Sequence, residues 1–216
     1  MNPLNATDRY SDAELKQALQ LGTSTLFEAS GITTSAVDTA IRPVWNGAAV
    51  AGPAFPLHCA PGDNLAIHVA MELVPRGSIL VVSTDSFIAG YWGEVLTVAA
   101  EAAGVRGLII DGGVRDIAAL AMRRFPVFSR GISMRGTGKA SVPSVGQPLS
   151  FTGTPVALGD LVVADDDGVL ILPAAEAQQV LARGQIRAEK EASMMSALQN
   201  GASTLDLMGL SQWSQR

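Results

Sequence analysis

Cysteine and charged residues are scarce in this chain of 216 residues. Cys59 is the single cysteine, so no internal disulfide can form and a reducing compartment is expected. Charged residues make up 16%, and 20 acidic against 15 basic side chains give a net charge of -5, which excludes a broadly basic nucleic-acid surface. No apolar run reaches the ~20 residues of a membrane span, and the N-terminus has no apolar leader. A cytoplasmic, globular protein is expected.

Several familiar catalytic patterns are missing as well. Neither His58 nor His68 has partners at zinc-ligand spacing, and His68, inside a predicted helix, is interpreted as a packed or partly exposed side chain. Residues 131–141 (GISMRGTGKAS) lack the first glycine and the closing Ser or Thr of a phosphate loop. No Gly-x-Ser-x-Gly elbow occurs, and the acidic run 165–167 lacks calcium-loop spacing. These absences exclude the commonest hydrolase and nucleotide chemistries.

What the chain does have is core material. Hydrophobic residues reach 48%, which is incompatible with intrinsic disorder. The low charge and 22 glycines favour an oligomer in which sister subunits cover apolar surface, with a mildly acidic monomer as the alternative. No linker or internal repeat is visible. A single domain over 1–216 is expected, with 174–216 as a C-terminal helical extension.

Hydrophobic periodicity predicts an α/β protein. Short helices are expected at 11–21 and 25–30, and extended structure interrupted by Gly-Pro at 48–60. Helices and strands are expected to alternate through the middle third, which indicates a largely parallel layer. The predicted helices are 64–73, 93–104 and 115–124, and the predicted strands are 78–83, 107–111 and 126–129. In the last third, the pattern predicts strands at close spacing along the chain, a hairpin through 165–168 (DDDG) and a long polar helix over 174–199.

Two strand-to-helix junctions are the strongest candidates for a ligand site. They are 89–96 (AGYWGEVL) and 111–116 (DGGVRD), and parallel sheets bind ligands at such junctions. Gly90 and Gly93 let the backbone approach a ligand closely. The N–H groups of residues 94–96 would then form an anion site, and Glu94 either complements the helix dipole or acts as an outer-shell acid near a metal.

The second junction supplies an adjacent cation and anion. Asp116 is either the cap of the following helix or an oxygen ligand for a hard cation such as Mg²⁺. Arg115 is either a surface cation or a planar fork for a carboxylate or enolate oxygen. The residues alone leave both pairs of readings open.

Five stretches together resemble a known family. They are GPAFPLHCAPGDNLAIH, AGYWGEVLTVAA, DGGVRD, PVFSRG and GDLVVADDDGVLILP. In this order they are similar to the 4-hydroxy-4-methyl-2-oxoglutarate aldolases, a family that also contains the regulator of ribonuclease activity A proteins. Glu94, twenty intervening residues and then Arg115-Asp116 match the acid–x20–Arg–Asp pattern of that family. The resemblance runs from about residue 24 to 195.

This resemblance implies a metal-dependent pyruvate aldolase with oxaloacetate decarboxylase side activity. The implied fold is an αββα sandwich related to the swivelling phosphohistidine domains, assembled as a homotrimer or homohexamer, with the C-terminal helix reaching a neighbouring subunit. Asp116 would be the direct ligand of Mg²⁺ or Mn²⁺, Arg115 the clamp on substrate and enolate, and Glu94 a residue that holds metal-bound water. The backbone N–H groups of Val95 and Leu96 would bind the pyruvyl carboxylate.

Three further features follow from the same resemblance. Glu191 resembles an acid that a neighbouring subunit contributes, with Glu189 as the near alternative, and Lys139 either meets the distal carboxylate or is a solvent-facing lysine. Residue 119 is Ala, where many relatives have an acid, and the tail beyond Gly201 only loosely resembles the usual ending of the family. Both departures affect the expected substrate preference more than the enolate chemistry. The expected substrate is a small 2-oxo acid. The alternatives are a Schiff-base aldolase using Lys139 and a non-catalytic protein that binds a ribonuclease.

Overall fold

A computed structural model describes residues 9–214. The helices are α1 (Asp12–Ser30), α2 (Leu65–Leu73), α3 (Glu94–Ala103), α4 (Ile117–Arg123), α5 (Ala177–Gln199) and α6 (Thr204–Leu207). The strands are β1 (Arg42–Pro43), β2 (Val50–His58), β3 (Ile79–Ser83), β4 (Gly90–Trp92), β5 (Gly107–Val114), β6 (Val127–Ile132), β7 (Ser144–Val145), β8 (Leu149–Phe151), β9 (Thr154–Val156), β10 (Leu161–Asp165) and β11 (Gly168–Leu172). None of the helices in this described part is long and apolar enough to cross a bilayer.

One sheet forms the centre of the molecule. Its strand order is β1-β6-β5-β3-β2-β10-β11, with β4 beside β5 and β7 beside β2. Strands β2, β3, β5 and β6 are parallel, as the alternation of helices and strands predicts, whereas β10 pairs antiparallel with β2 and β11. The end strands β1 and β11 contact each other, so the sheet nearly closes into a barrel.

Strand β2 joins the parallel and antiparallel halves. Its first four residues pair with β10 and its last five with β3, so it changes partner after Pro53. The interruption expected at Gly52-Pro53 is therefore a change of partner within a continuous strand. Proline lacks a backbone donor and is tolerated where a ladder hydrogen bond is not required.

Three buried clusters define the layers. Helices α2, α3 and α4 pack on the outer face of the parallel strands, in a cluster that includes Leu80, Trp92 and Leu108. The inner faces of the two halves meet in a second cluster around Ile109 and Phe128. The third cluster packs α1 and α5 on the outer face of β10 and β11. The molecule therefore has four layers: helices, the parallel half of the sheet, the antiparallel half of the sheet, and helices again. This order confirms a mixed α/β fold.

Local signals explain most element boundaries. Ser11 and Glu14 form the expected capping box of α1, and Gly31 ends that helix in the left-handed conformation. The two short helices expected there lie on either side of Gly22, whose non-helical backbone separates them within α1, so this prediction is confirmed. Residues 165–168 turn between β10 and β11 as predicted. Strand β4 and the extension of β5 through Val114 were not predicted.

Candidate active site

A polar cleft lies where β4 and β5 end. It has a volume of about 300 Å³. The lining residues are Asn64, His68, Gly90, Tyr91, Trp92, Gly93, Val95, Leu96, Arg115, Asp116, Gly136, Thr137 and Lys139. Both predicted junctions therefore contribute to one site, because β4 pairs with the end of β5 and brings them side by side. An apolar cavity of about 150 Å³ near Phe27 and Val169 has acidic side chains but no basic ones in its lining, so it suits an anionic substrate poorly.

Arg115 and Asp116 both line this cleft. Nε of Arg115 lies 3.9 Å from Oδ2 of Asp116, and both side chains are about half exposed. The backbone of Asp116 is left-handed, with φ 59° and ψ 36°. Aspartate tolerates this conformation better than most residues, yet a non-glycine residue there is uncommon and such residues cluster at functional sites.

The carboxylate of Asp116 caps a helix other than its own. It makes no side-chain cap on α4, which begins at the next residue. Instead, Oδ2 accepts a hydrogen bond of 3.0 Å from the backbone N–H of Glu94, at the start of α3. Asp116 thus ties the two junctions together. Within the described residues 9–214 its other oxygen, Oδ1, has no hydrogen-bond partner.

Gly93 makes this contact possible. A Cβ built on Gly93 would overlap Oδ2 of Asp116 and would lie 3.0 Å from Cγ of Arg115. Its φ of −162° is ordinary extended backbone, so the requirement for glycine is one of space. Gly93 was predicted to let a ligand approach the backbone closely. In the structure, the group that approaches it is the carboxylate of Asp116.

The first turn of α3 presents free backbone donors. The first bond of the i→i−4 ladder runs from the N–H of Thr97 to the carbonyl of Gly93. The N–H groups of Val95 and Leu96 precede it and carry the positive end of the helix dipole. The N–H of Glu94, expected as part of the same anion site, is occupied by Asp116. Two donors of the predicted three remain for a ligand.

The side chain of Glu94 is held by an arginine. Its Oε1 accepts from Nε of Arg123 at 3.1 Å, and Arg123 also bonds Glu101 at 3.0 Å. Glu94 is about half exposed and is not among the residues that line the cleft, although its N–H contacts Asp116. Its role in holding metal-bound water stays a prediction.

Lys139 stands at the mouth of the cleft, on the loop that follows β6. The loop is anchored on the start of α2, because Asp63 accepts from the N–H of Ala140 at 2.5 Å and Gly138 donates to Gly62 at 2.7 Å. Hydrogen bonds from the N–H groups of Leu65 and Ala140 lower the pKa of Asp63, and Lys139 adds to this effect. Lys139 is exposed and lines the cleft, and its contact with a distal carboxylate stays a prediction.

Among the cleft residues that were not singled out from the sequence as site residues are two on or next to α2, Asn64 and His68. Asn64 is only 5% exposed, its Nδ2 donates to the carbonyl of Tyr91 at 2.9 Å, and its Oδ1 is buried without a hydrogen-bond partner among the described residues. His68, one helical turn further along α2, is half-buried, and burial together with the nearby Lys139 lowers its pKa. Their i, i+4 spacing on a predicted helix was the available signal.

Glu191 lies apart from these residues. It is on the distal part of α5, where Oε1 pairs with Nε of Arg187 at 2.8 Å. It lines a separate cavity of about 210 Å³ with Met194, Leu207 and Met208. Within one chain, the structure does not bring Glu191 into the cleft of Asp116. Its predicted contribution to a neighbouring site is untested.

The oxygen ligands in the cleft suit a hard cation most of whose coordination positions are filled by water and substrate. No group of three or more His, Cys, Asp or Glu side chains able to hold a metal occurs in the part of the chain that is described. Mg²⁺ in proteins is commonly bound by one or two carboxylates, with waters and substrate oxygens completing the octahedron. A single carboxylate with a free oxygen, as at Asp116, fits that pattern.

Comparisons with known proteins identify relatives of this chain. Residues 8–171 match the model of the RraA-like family, described as Aldolase/RraA. A Halalkalibacterium halodurans protein, named as a candidate 4-hydroxy-4-methyl-2-oxoglutarate aldolase, is 32% identical over 146 residues, which cover 67% of this chain and 70% of that protein. The family match ends before α5, so it includes Arg115 and Asp116 but not Glu191.

Solved structures show the same fold. An uncharacterized protein from Pseudomonas syringae pv. tomato has a TM-score of 0.79 at 28% identity, over 89% of this chain and 95% of that one. Streptomyces coelicolor RraAS2, described as an unusual member of the RNase ES inhibitor RraA family, has a TM-score of 0.75 at 24% identity, over 86% and 98% of the two chains. With the family match across 8–171 and the aldolase-named relative, these results show that the chain belongs to the RraA-like family.

Proposed function

We propose that this protein is a divalent-metal-dependent aldolase. Its substrate would be a 4-hydroxy-2-oxo diacid of the 4-hydroxy-4-methyl-2-oxoglutarate or 4-carboxy-4-hydroxy-2-oxoadipate type, cleaved to pyruvate and a second oxo acid. One observation carries the proposal: Arg115 and Asp116 lie 3.9 Å apart in a cleft that also receives the free N–H groups at the start of α3. A carboxylate, a guanidinium and two amides are what binding and cleaving a 2-oxo acid requires.

Each group has a distinct task in this scheme. The N–H groups of Val95 and Leu96 bind the C1 carboxylate, because a helix N-terminus favours anions. The guanidinium of Arg115 lies beside the C2 oxygen, where its donors meet the charge that develops during cleavage. Lys139, at the mouth, pairs with the distal carboxylate. Substrate orientation therefore follows from three separate contacts.

Asp116 is the residue that would hold the metal. Its free Oδ1 suits Mg²⁺ or Mn²⁺, and its Oδ2 is oriented by the N–H of Glu94. A divalent cation bound there supplies Lewis-acid polarisation of the substrate carbonyl. Glu94 keeps its expected place as an outer-shell acid, oriented by Arg123.

The chemistry passes through an enolate. Removal of the 4-hydroxyl proton lets the new C4 carbonyl form while the C3–C4 bond breaks, and the electron pair moves onto the C2 oxygen near Arg115. Protonation at C3 then gives pyruvate. Loss of CO₂ from oxaloacetate leaves the same enolate, so decarboxylation is expected as a companion activity.

A coupled pyruvate assay with and without EDTA tests the proposal. Purified protein is given oxaloacetate and a small panel of branched 4-hydroxy-2-oxo diacids. Pyruvate release that EDTA removes and Mg²⁺ or Mn²⁺ restores is the expected result. EDTA-resistant release would favour a Schiff-base aldolase, for which Lys139 is the lysine in the cleft.

The second candidate function is binding to a ribonuclease without catalysis. The description of the family model, Aldolase/RraA, supports keeping it. Such a role needs only a surface and does not require Arg115 beside Asp116 in a cleft. Inhibition of a ribonuclease by a sample that releases no metal-stimulated pyruvate would favour the regulator.

Several finer expectations belong to the same proposal. They are the relationship to the swivelling phosphohistidine domains, assembly as a homotrimer or homohexamer, and the reach of α5 to a neighbouring subunit. The projection of α5 supports the last of these, because its buried residues end at Gly184 and fifteen residues of helix follow. A cytoplasmic location stays an expectation from the single cysteine.

A further inference from the structure

One wall of the cleft has no task in the scheme above. Asn64 and His68 are one turn apart on α2 and line the cleft together with Arg115 and Asp116. Neither contributes to the groups assigned to the C1 carboxylate, the C2 oxygen or the distal carboxylate. The 4-hydroxyl group of the substrate has no side chain as a direct partner in that scheme, where metal-bound water held by Glu94 is the expected base.

Asn64 carries an unmet hydrogen-bond acceptor. Its amide orientation is fixed, because Nδ2 donates to the carbonyl of Tyr91, and a flipped amide would set two oxygens against each other. Oδ1 is then left buried and unpartnered among the described residues. A buried acceptor without a partner costs about 1–3 kcal/mol, so an unpartnered acceptor on a residue that lines the cleft points to a ligand that donates. A hydroxyl group is such a donor.

His68 is suited to receive the proton of that hydroxyl. It is half-buried on the same helix face, in a cleft whose other charged lining residues are Arg115, Asp116 and Lys139. The lining residues of α3, Val95 and Leu96, are uncharged, and Glu72 one turn further along α2 is exposed. Burial first, and the Lys139 ammonium second, lower the pKa of His68, so its ring is neutral and able to accept a proton near pH 7.

We propose that His68 is the catalytic base that removes the 4-hydroxyl proton, and that Oδ1 of Asn64 orients this hydroxyl. This inference rests on the aldolase function proposed above and names the substrate class more narrowly, as acids with a hydroxyl at C4. The O–H proton moves to the imidazole, the O–H electron pair forms the C4 carbonyl, and the C3–C4 pair forms the enolate. The imidazolium gives its proton to solvent, and a solvent proton at C3 completes pyruvate.

Decarboxylation provides the internal comparison. Oxaloacetate loses CO₂ without any hydroxyl proton to remove, so it reaches the same enolate without needing a base at this position. A substitution at His68 should therefore change the ratio of the two activities. Damage to the metal site or to Arg115 would lower both together.

The test compares kcat for aldol cleavage and for oxaloacetate decarboxylation in one set of variants. His68→Gln keeps a polar side chain of similar size, and His68→Ala opens space for added imidazole. Aldol kcat is expected to fall about 100-fold or more in both, the scale of general-base catalysis, with at least a tenfold fall in the ratio to decarboxylase kcat. Added imidazole should restore part of the aldol kcat in His68→Ala.

His58→Ala is the matched control. His58 is the other histidine, it pairs with Asp85 at 3.1 Å, and it does not line the cleft. Its substitution should leave both activities within about threefold of wild type, with thermal unfolding used to check that all variants fold.

The possible failures are distinguishable. Equal loss of both activities in His68→Gln, or aldol turnover within threefold of wild type, overturns the role of His68 while leaving the aldolase proposal in place. A wild-type protein that decarboxylates oxaloacetate but cleaves no hydroxylated acid of the panel also overturns it. Absence of any metal-stimulated pyruvate release from wild type refutes the proposed function itself.

Discussion

Asp116 holds a backbone conformation that few residues other than glycine adopt, and it does so at the mouth of a polar cleft. The left-handed backbone places its carboxylate against the N–H of Glu94, 22 residues earlier in the chain. A strained residue persists only where the surrounding contacts impose it. Here the hydrogen bond to α3 is such a contact, and it leaves one oxygen available to a cation.

Replacing Asp116 by Ala is expected to abolish both Mg²⁺ binding and metal-dependent pyruvate release. The fold should survive, because the side chain is about half exposed and a lost cap costs about 1 kcal/mol. Titration calorimetry of Mg²⁺ binding, the coupled pyruvate assay and a thermal melt give the three measurements.

Asp116→Asn is the matched control for this change. Asparagine tolerates the left-handed backbone and keeps an oxygen for the N–H of Glu94, but it carries no charge. The Asn variant should therefore melt closer to wild type than the Ala variant while still losing metal affinity. Wild-type turnover in either variant would refute the assignment of Asp116 as the metal ligand.

Replacing Arg115 by Lys tests the guanidinium rather than its charge. Lysine keeps the positive charge but loses the planar pair of donors. Turnover is expected to fall by roughly 3 kcal/mol in activation free energy, about 100-fold, which is the scale of one lost oxyanion donor. Steady-state kinetics with the aldol substrate measure it. A loss below about threefold would contradict the proposed role.

The sequence identified Arg115 and Asp116 because they form a local motif between a strand and a helix. It did not single out Asn64 and His68, because what distinguishes them is long-range. Asn64 is tethered to Tyr91, and His68 lies near Lys139 in the fold. Spacing along one helix placed both on one face, but only the packing of α2 against α3, β2 and β7 brings that face to the cleft.

Elements with one clear periodicity were predicted well. Helices α2 and α3 and strand β3 lie within a residue or two of the expected positions. Strand β4 was missed because it has only three residues, one of them a glycine, and so carries no periodic signal. The strand β5 was expected to end at Asp111, since paired glycines usually mark turns, yet it continues through Val114. That extension is what lets β4 pair with β5 and brings the two junctions together.

The junction between β4 and α3 should not tolerate a side chain at Gly93. In Gly93→Ala the new Cβ would overlap the carboxylate of Asp116 and crowd Arg115. Pyruvate release is expected to fall at least tenfold, with weakened Mg²⁺ binding, because Asp116 must leave its hydrogen bond to α3. Gly131→Ala is the control, since a Cβ there meets only ordinary contacts at 3.7 Å. Equal activity in the two variants would count against this account.

The loop that carries Lys139 should loosen in acid. The N–H groups of Leu65 and Ala140 lower the pKa of Asp63 below its usual value, so the stabilisation is present above that value and is lost as pH falls through the lowered one. Asp63→Asn should melt below wild type at pH 7, and the two melting temperatures should converge below about pH 3. Thermal melts from pH 7 to pH 2.5 test this, and parallel curves would contradict it.

At the scale of the whole molecule, the distal part of α5 makes fewer contacts than its first half: Arg187 pairs with Glu28 of α1, and Met194 lines a cavity with Leu207 and Met208. Its buried residues end at Gly184, and the residues beyond that point are partly buried or exposed. Glu191 lies on this projecting part, paired with Arg187. If α5 reaches a neighbour, Asp116 of one subunit and Glu191 of another would complete a single site, and no subunit would form a complete site by itself.

Subunit mixing tests this shared site directly. Asp116→Ala and Glu191→Ala proteins should each be inactive, whereas a mixture that has exchanged subunits should regain up to about a quarter of wild-type activity, because random assembly in a closed ring places an intact Asp116 beside an intact Glu191 at that frequency. Glu189→Ala is the control, since Glu189 bonds Gln185 at 2.9 Å on the same helix and should remain active alone. Full activity of Glu191→Ala by itself, or no recovery after verified exchange, would show that each cleft works with the residues of a single chain.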